Sequence, residues 1–299
     1  MRGLGVGWRC TGLRWPDDRP ELGWRKDGVP GARRASRLVY GQEIGFRAVG
    51  ERRCAGARGN VCPVDAVVPA RGTGARCPEC ARLDRAHSVA ADTIADDPRT
   101  YRVYLAWFGP GMVKVGITAE ERGAARLREQ GAVVFSWLGR GPLMAARRTE
   151  ELLRAALGVP DRIPYARKRV VRAALPGVGE RTGEVAEWYG RAAALEGGGW
   201  PESLERLPFE AVDHGAVFGF GGAVEVARAV TGLVDGGVVA GRLVAAAGPD
   251  LHLESGAGGV VVLDTRLVTG WELRAADAGA GVSVPVVDIG GGGVQGGLF

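Results

Sequence analysis

Lysine is almost missing from this chain: Lys26, Lys114 and Lys168 are the only three among 39 basic residues. Positive charge is therefore nearly all guanidinium, and in an Ala/Gly/Val-rich chain that abundance reports a GC-biased composition before it reports a function. No run of roughly eighteen apolar residues occurs, which excludes a membrane-spanning helix and any membrane partnership built on one. The opening MRGLGVGWRCTG lacks the apolar core of a signal peptide, so a cytoplasmic chain is expected, one in which structural disulfides are disfavoured. Asparagine occurs once, as Asn60.

Against these scarcities stand 299 residues, 46% hydrophobic and 24% charged. That is enough to bury a sizeable core, and the length suggests two modules or one core with an insertion. The 50 glycines and 16 prolines foretell many loops. The net charge of +5 hides an asymmetry: residues 1–113 carry 19 basic against 12 acidic side chains, 114–172 carry 13 against 6, and 173–299 carry 7 against 16. A basic front half beside an acidic tail suits a polyanionic partner, here DNA or RNA.

The pattern predicts an α+β protein in four parts. Residues 1–53 read as a β-rich segment, with RLVYG and IGFRAV as short strands, and 54–98 as a cysteine module. In 99–175, YRVYLAWF and MVKVGIT form a hairpin through Gly109-Pro110-Gly111, followed by a helix over 119–130 ended by Gly131, the strand VVFSWLG, and a helix stopped by Gly158 and Pro160. Residues 176–299 read as a helix near 180–196, then Gly-rich strands VVAGRLVAAA, LHLES, GVVVLDTRLVTG and WELRA, with GGGGVQGG as a flexible end. The N- and C-terminal strand sets packing together would make the middle an inserted domain.

Cys54, Cys62, Cys77 and Cys80 follow C-x7-C-x14-C-x2-C. A CxxC turn places two sulfurs close enough for one tetrahedral Zn2+, and a second pair completes a structural shell. Reduced thiols without metal are the next reading and redox chemistry the last. His87 is a possible substitute ligand left outside the shell, and Cys10 reads as an ordinary thiol.

The next constellation is Tyr104 in the first hairpin strand, Lys114-Val115-Gly116 in the second, Arg126 on the following helix and Glu150 on the helix after the third strand. This arrangement resembles the GIY-YIG nuclease superfamily over residues 101–170. Val103-Tyr104 corresponds to the end of GIY, Lys114-Val115-Gly116 to YIG with lysine for tyrosine, Arg126 to the helix arginine and Glu150 to the metal ligand. The late asparagine common in active members has no counterpart. The whole chain is similar to a bacterial and archaeal family of unknown function, number 2797, through the cysteine cluster before VYLAWFGPGMVKVGIT, RLREQGA, RRTEELL and the tail GPDLHLE to VLDTRLVTGWEL.

The resemblance implies a small antiparallel sheet flanked by helices and a phosphodiesterase using Mg2+ or Mn2+ at Glu150. Tyr104 would orient or deprotonate water, Lys114 would supply a point charge or a base, and Arg126 would pair with phosphate oxygens. Arg122, Arg147, Arg167, Lys168 and Arg169 are candidate nucleic-acid contacts; in YARKRVVR, Tyr165 would stack on a base while its neighbours track phosphates. The plainer readings are a packing tyrosine at 104, ordinary helix-face charge pairs among Arg147, Arg148, Glu150, Glu151 and Arg154, and a basic helix or strand edge at 165–172. Asp250 with His252 and Asp264 with Arg266 read as structural pairs or partner contacts. The rival function is a non-catalytic nucleic-acid-binding or interaction protein that keeps the fold and a structural zinc.

Overall fold

A computed structural model describes residues 7–29, 31–86, 97–160, 162–195, 200–221, 226–256 and 259–289. His87 and the GGGGVQGG end lie outside the described residues. The chain opens with β1 (Trp8–Arg14), β2 (Glu21–Lys26), β3 (Arg33–Arg37) and β4 (Glu43–Val49), followed by the cysteine segment and α1 (Pro78–Ala86). The middle runs β5 (Thr100–Trp107), β6 (Val113–Ala119), α2 (Ala125–Gln130), β7 (Val134–Pro142), α3 (Leu143–Leu157), α4 (Tyr165–Arg172), α5 (Val178–Ala193), β8 (Glu205–Arg206) and β9 (Val212–Asp213). The last part is β10 (Val226–Val230), β11 (Val238–Ala247), β12 (Asp250–Glu254), β13 (Val260–Asp264), α6 (Thr265–Val268), β14 (Glu272–Ala275) and β15 (Val286–Asp288).

Both ends of the chain build one ten-stranded sheet, ordered β15-β10-β13-β12-β11-β4-β14-β1-β2-β3. Strand β4 from the first fifty residues lies between β11 and β14, with Phe46 opposite Val239 and Ala275. Trp15, Phe46, Leu243, Leu251, Leu263 and Trp271 join its core. Residues 1–53 and 176–299 are thus not separate domains, and the middle is an insertion between strands of one sheet.

The inserted domain has its own sheet, β6-β5-β7-β8, with β9 also on β7. It reaches past residue 175, because β8, β9 and α5 all pack on β7. Strand β5 is apolar on both sides because both faces are covered. Tyr101, Val103, Leu105 and Trp107 join the cluster with α3 and α5 residues such as Leu153 and Val185. Tyr104, Ala106 and Phe108 pack with Leu127 of α2 and Ile163.

Helices α2 and α3 stop where glycine permits the left-handed turn, at Gly131 (φ 71°) and Gly158 (φ 65°). Three local expectations change. The helix over 119–130 is a 3-10 turn at Glu120–Arg122 and then α2, because Gly123 departs from helical geometry between them. RLVYG leaves the sheet after Arg37, since Leu38 turns into the core and the Tyr40 hydroxyl donates to the Val217 carbonyl at 2.7 Å. In GVVVLDTRLVTG the strand ends at Asp264, whose carboxylate accepts from the Arg266 N–H and starts α6. Among the described residues no helix is long and apolar enough to cross a membrane.

Candidate functional site: a basic cleft beside a cysteine cluster

Residues 54–80 have few apolar side chains to pack; Cys54, Ala57, Cys62, Val68 and Cys80 are their buried cluster. The sulfurs of Cys54, Cys62, Cys77 and Cys80 all lie within 4.8 Å of one another, 3.9 Å apart for Cys62 and Cys77. Metal–sulfur bonds of about 2.3 Å in a tetrahedral thiolate shell put sulfurs about 3.8 Å apart, so the set could hold a metal ion. The backbone is arranged around it as well: Gly56 and Cys77 N–H groups donate to the Cys54 sulfur at 3.4 and 3.2 Å.

Titration of Cys62 and Cys80 points the same way. Burial raises the Cys62 thiol, but N–H groups of Ala66 and Val64 and the neighbouring thiols outweigh it and bring it to about 7. Burial and the other three sulfurs push Cys80 up to about 12. Without a cation the cluster supports a first thiolate far more readily than four; a bound cation removes that obstacle.

The second centre is a cleft of about 1060 Å3 at the free edge of the inserted sheet. Tyr104, Lys114, Arg126 and Glu150, spread over β5, β6, α2 and α3, all line it. Tyr104 stands opposite Gly116 in the hairpin. A Cβ on Gly116 would lie 2.3 Å from the tyrosine oxygen, so the glycine makes the space across which the ring lies. The Gln130 side-chain amide donates to that oxygen at 2.8 Å. Tyr104 is 1% exposed, and burial raises its pKa. It is a neutral phenol at pH 7, able to orient water but not to act as the resting base.

Arg126 is half-exposed and 3.8 Å from Glu129. Arg122, Arg147, Arg154, Arg162 and Arg266 join the lining, so cations outnumber the carboxylates of Asp84, Glu150 and Glu151. Lys168 lies at the floor, 4% exposed, its Nζ 3.7 Å from the Phe108 ring centre and donating to the Gln130 carbonyl at 3.0 Å. Burial first, then the charges of Arg172 and Lys114, lower its pKa to about 6.

A family model described as "Protein of unknown function (DUF2797)" matches residues 41–273. The chain belongs to that family. Neither the curated proteins nor the solved structures give a match. The span that makes this a DUF2797 protein contains the four clustered cysteines, Tyr104, Lys114, Arg126, Glu150 and strands of both sheets.

In this DUF2797 chain the basic run at 165–172 is a helix whose cations face inward more than the sequence suggests. Arg169 binds Asp250 at 2.6 Å and Asp264 at 2.7 Å, and Arg172, without exposed side-chain surface, binds Asp250 at 3.0 Å. Arg169 is thus committed to joining the inserted domain to the large sheet, and is withdrawn as a polyanion contact. Lys168 is roofed by Phe108 and is likewise removed from that role. The Tyr165 ring is already engaged within the chain: Arg266 and Lys168 lie 4.3 and 4.5 Å from its centre, and its hydroxyl donates to the Glu129 carbonyl. Arg167 is exposed, Arg147 lines the cleft, and Arg122 lines it while chelated by Glu129 at 2.7 Å.

The sequence reading missed Gln130, Arg154 as a lining residue, Arg162 and Arg266. A neutral amide at a helix end carries no composition signal, and Arg266 reaches the cleft only because the tail strands pack beside it.

Proposed function

We propose that the inserted domain is a metal-dependent phosphodiesterase acting on nucleic acid. The observation that carries this is the gathering of Tyr104, Lys114, Arg126 and Glu150 on one cleft with excess positive charge. Hydrolysis adds water across a P–O ester bond, giving a phosphate monoester and an alcohol, and needs cationic groups where charge grows on the phosphoryl oxygens. Arg126 offers a planar fork to the non-bridging oxygens, and Lys114 offers a compact charge from the edge strand. The Tyr104 oxygen accepts from Gln130, which leaves its own O–H to hold the attacking water or a phosphate oxygen.

Among the described residues the set that could hold a metal through three or more side chains is the cysteines, so Mg2+ or Mn2+ would rest on the Glu150 carboxylate, its own waters and the substrate. When bound it would neutralise charge on the transferring phosphoryl group. Zn2+ is the proposed ion of the cysteine shell, where it would be structural, and a reducing cytoplasmic setting would keep the thiols available for it.

Purified protein with Mg2+ or Mn2+ is tested against labelled single-stranded, double-stranded and branched DNA and RNA. Cleavage lost in Glu150→Gln and retained in Glu151→Gln supports the reading, since both carboxylates border the cleft. A specific observation favours a second reading, a non-catalytic nucleic-acid-binding protein: Lys114 stands where the nuclease pattern has its second tyrosine. Salt-sensitive binding without cleavage of any substrate would establish that reading instead.

A further inference from the structure

A second cleft of about 640 Å3 adjoins the first, and nothing in the nuclease resemblance accounts for it. Its walls include β1, β2 and β3 of the large sheet, the cysteine segment and α1, with Asp84, Arg126, Tyr165 and Arg266 shared between the two clefts. Arg14, Arg25, Arg33, Arg76 and Arg85 line it beyond the shared residues, and Asp84 and Glu129 are its only lining carboxylates among the described residues.

These arginines fall into two groups. Three fasten the cysteine segment: Arg25 donates to the Cys54 carbonyl at 3.4 Å, Arg33 to the Gly59 carbonyl, and Arg76 to the Gly56 carbonyl at 3.0 Å while pairing with Asp84 at 3.2 Å. The other two, Arg14 and Arg85, are exposed, and no carboxylate or carbonyl among the described residues engages them. The cysteine segment, held by Arg25, Arg33 and Arg76, therefore forms one wall of a groove whose lining includes two uncommitted guanidiniums, and Arg126 is shared with the Tyr104 cleft.

We infer that this second cleft is an extension site for the sugar–phosphate backbone of the nucleic-acid strand whose scissile bond lies in the Tyr104 cleft; the inference rests on the proposed function. The chemistry selects an extended polyanion over a small phosphate ester. Positive charge continues across two adjoining clefts, and the uncommitted arginines sit on separate elements, β1 and α1, far apart in the sequence. It also selects the backbone over the bases. The aromatic ring at the junction, Tyr165, is already packed against Arg266 and Lys168, so the groove offers charge rather than a stacking platform. The cysteine segment is then part of the substrate track, and its metal has a consequence for binding as well as for folding.

The test is fluorescence anisotropy of the full-length protein with a labelled trinucleotide and with a strand several times longer, each titrated over a range of salt, for wild type and the double variant Arg14→Gln/Arg85→Gln. Wild type is expected to bind the longer strand more tightly and with a steeper salt dependence. Each arginine that meets a phosphate contributes about one unit of log Kd against log salt, so the double variant should lower that slope by about two. Its affinity for the longer strand should fall at least tenfold, with the advantage of the longer strand over the short one largely gone. An unchanged slope and length advantage in the double variant, with wild type binding intact, overturns the extension site and leaves the Tyr104 cleft reading in place. Absence of nucleic-acid binding by wild type overturns both. Binding without cleavage, accompanied by the predicted loss of slope, supports the extension site while removing the catalytic reading.

Discussion

Two groups of basic side chains, one at the junction of the sheets and one lining the cleft, are used in opposite ways. At the junction of the two sheets, Arg169 and Arg172 are bound by Asp250 and Asp264, Arg169 largely and Arg172 wholly hidden from solvent. In the cleft, Arg126, Arg162 and their neighbours face an open volume with few carboxylates. The same residue type bolts two domains together in one place and lines an open cleft in the other. What separates them is where the aspartates of the tail arrive. The junction should therefore respond to mutation through stability, and the cleft through binding and catalysis.

The largest effect is expected at the bolt. Asp250→Ala leaves Arg172 without a carboxylate partner and Arg169 with Asp264 alone, and loss of one partner from a buried pair costs about 3–5 kcal/mol; denaturant unfolding measures it. A stability change below about 1 kcal/mol would put the junction with exposed ion pairs and erase the contrast.

Gly116→Ala comes next and lies between the two regimes. The added methyl meets the Tyr104 ring, which must move. Overpacking of this kind costs about 1–3 kcal/mol, and displacement of the hydroxyl should lower cleavage more than that stability loss alone would. Tyr104→Phe, which keeps the ring, separates the two contributions.

Lys168 sharpens the comparison by pH. Its folded-state value of about 6 lies below the ordinary lysine value. Between the two, the unfolded chain binds the extra proton, so this group makes stability rise with pH, by at most about 1.4 kcal/mol per pH unit. Below about pH 6 both states are charged and the added slope ends. Stability of wild type and Lys168→Met, measured from pH 5 to pH 9, should differ in slope above about pH 6 and run parallel below it. Equal slopes throughout would show the ammonium to be solvated, as the cleft cations are.

The smallest stability effect belongs to Arg162→Gln. This exposed residue in the cleft lining should alter stability by no more than about 0.5 kcal/mol. It should nonetheless flatten the salt dependence of nucleic-acid binding by about one unit. A large stability loss here would mean that cleft and junction are not distinct.

Much of the inserted domain was legible locally. The hairpin YRVYLAWF to MVKVGIT, its Gly-Pro-Gly turn and the helix stops at Gly131 and Gly158 depend on neighbours a few residues away, and such signals survive in sequence. The cysteine spacing was readable for the same reason, because CPEC is itself a turn that brings Cys77 and Cys80 together. The strand order of the large sheet was not readable. Placing β4 between β11 and β14 requires partners some 190 to 230 positions away, and the alternation within EIGFRAV does not name them. Nor could the charges of YARKRVVR reveal which would be neutralised, since Asp250 and Asp264 lie 81 and 95 positions from Arg169.

By itself, then, the sequence determined the elements whose information is local: strands by alternation, helix ends by glycine, a four-thiol set by spacing, and the tyrosine, lysine, arginine and glutamate that chemistry would want near one another. Tertiary structure decided what those elements meet. It joined the chain ends into a single sheet, brought the four side chains to one cleft, and consumed Arg169 and Arg172 in a buried ionic junction. The reason is that burial and Coulomb interactions depend on distance in space, and distance in space between remote segments is set by the packing of the whole chain.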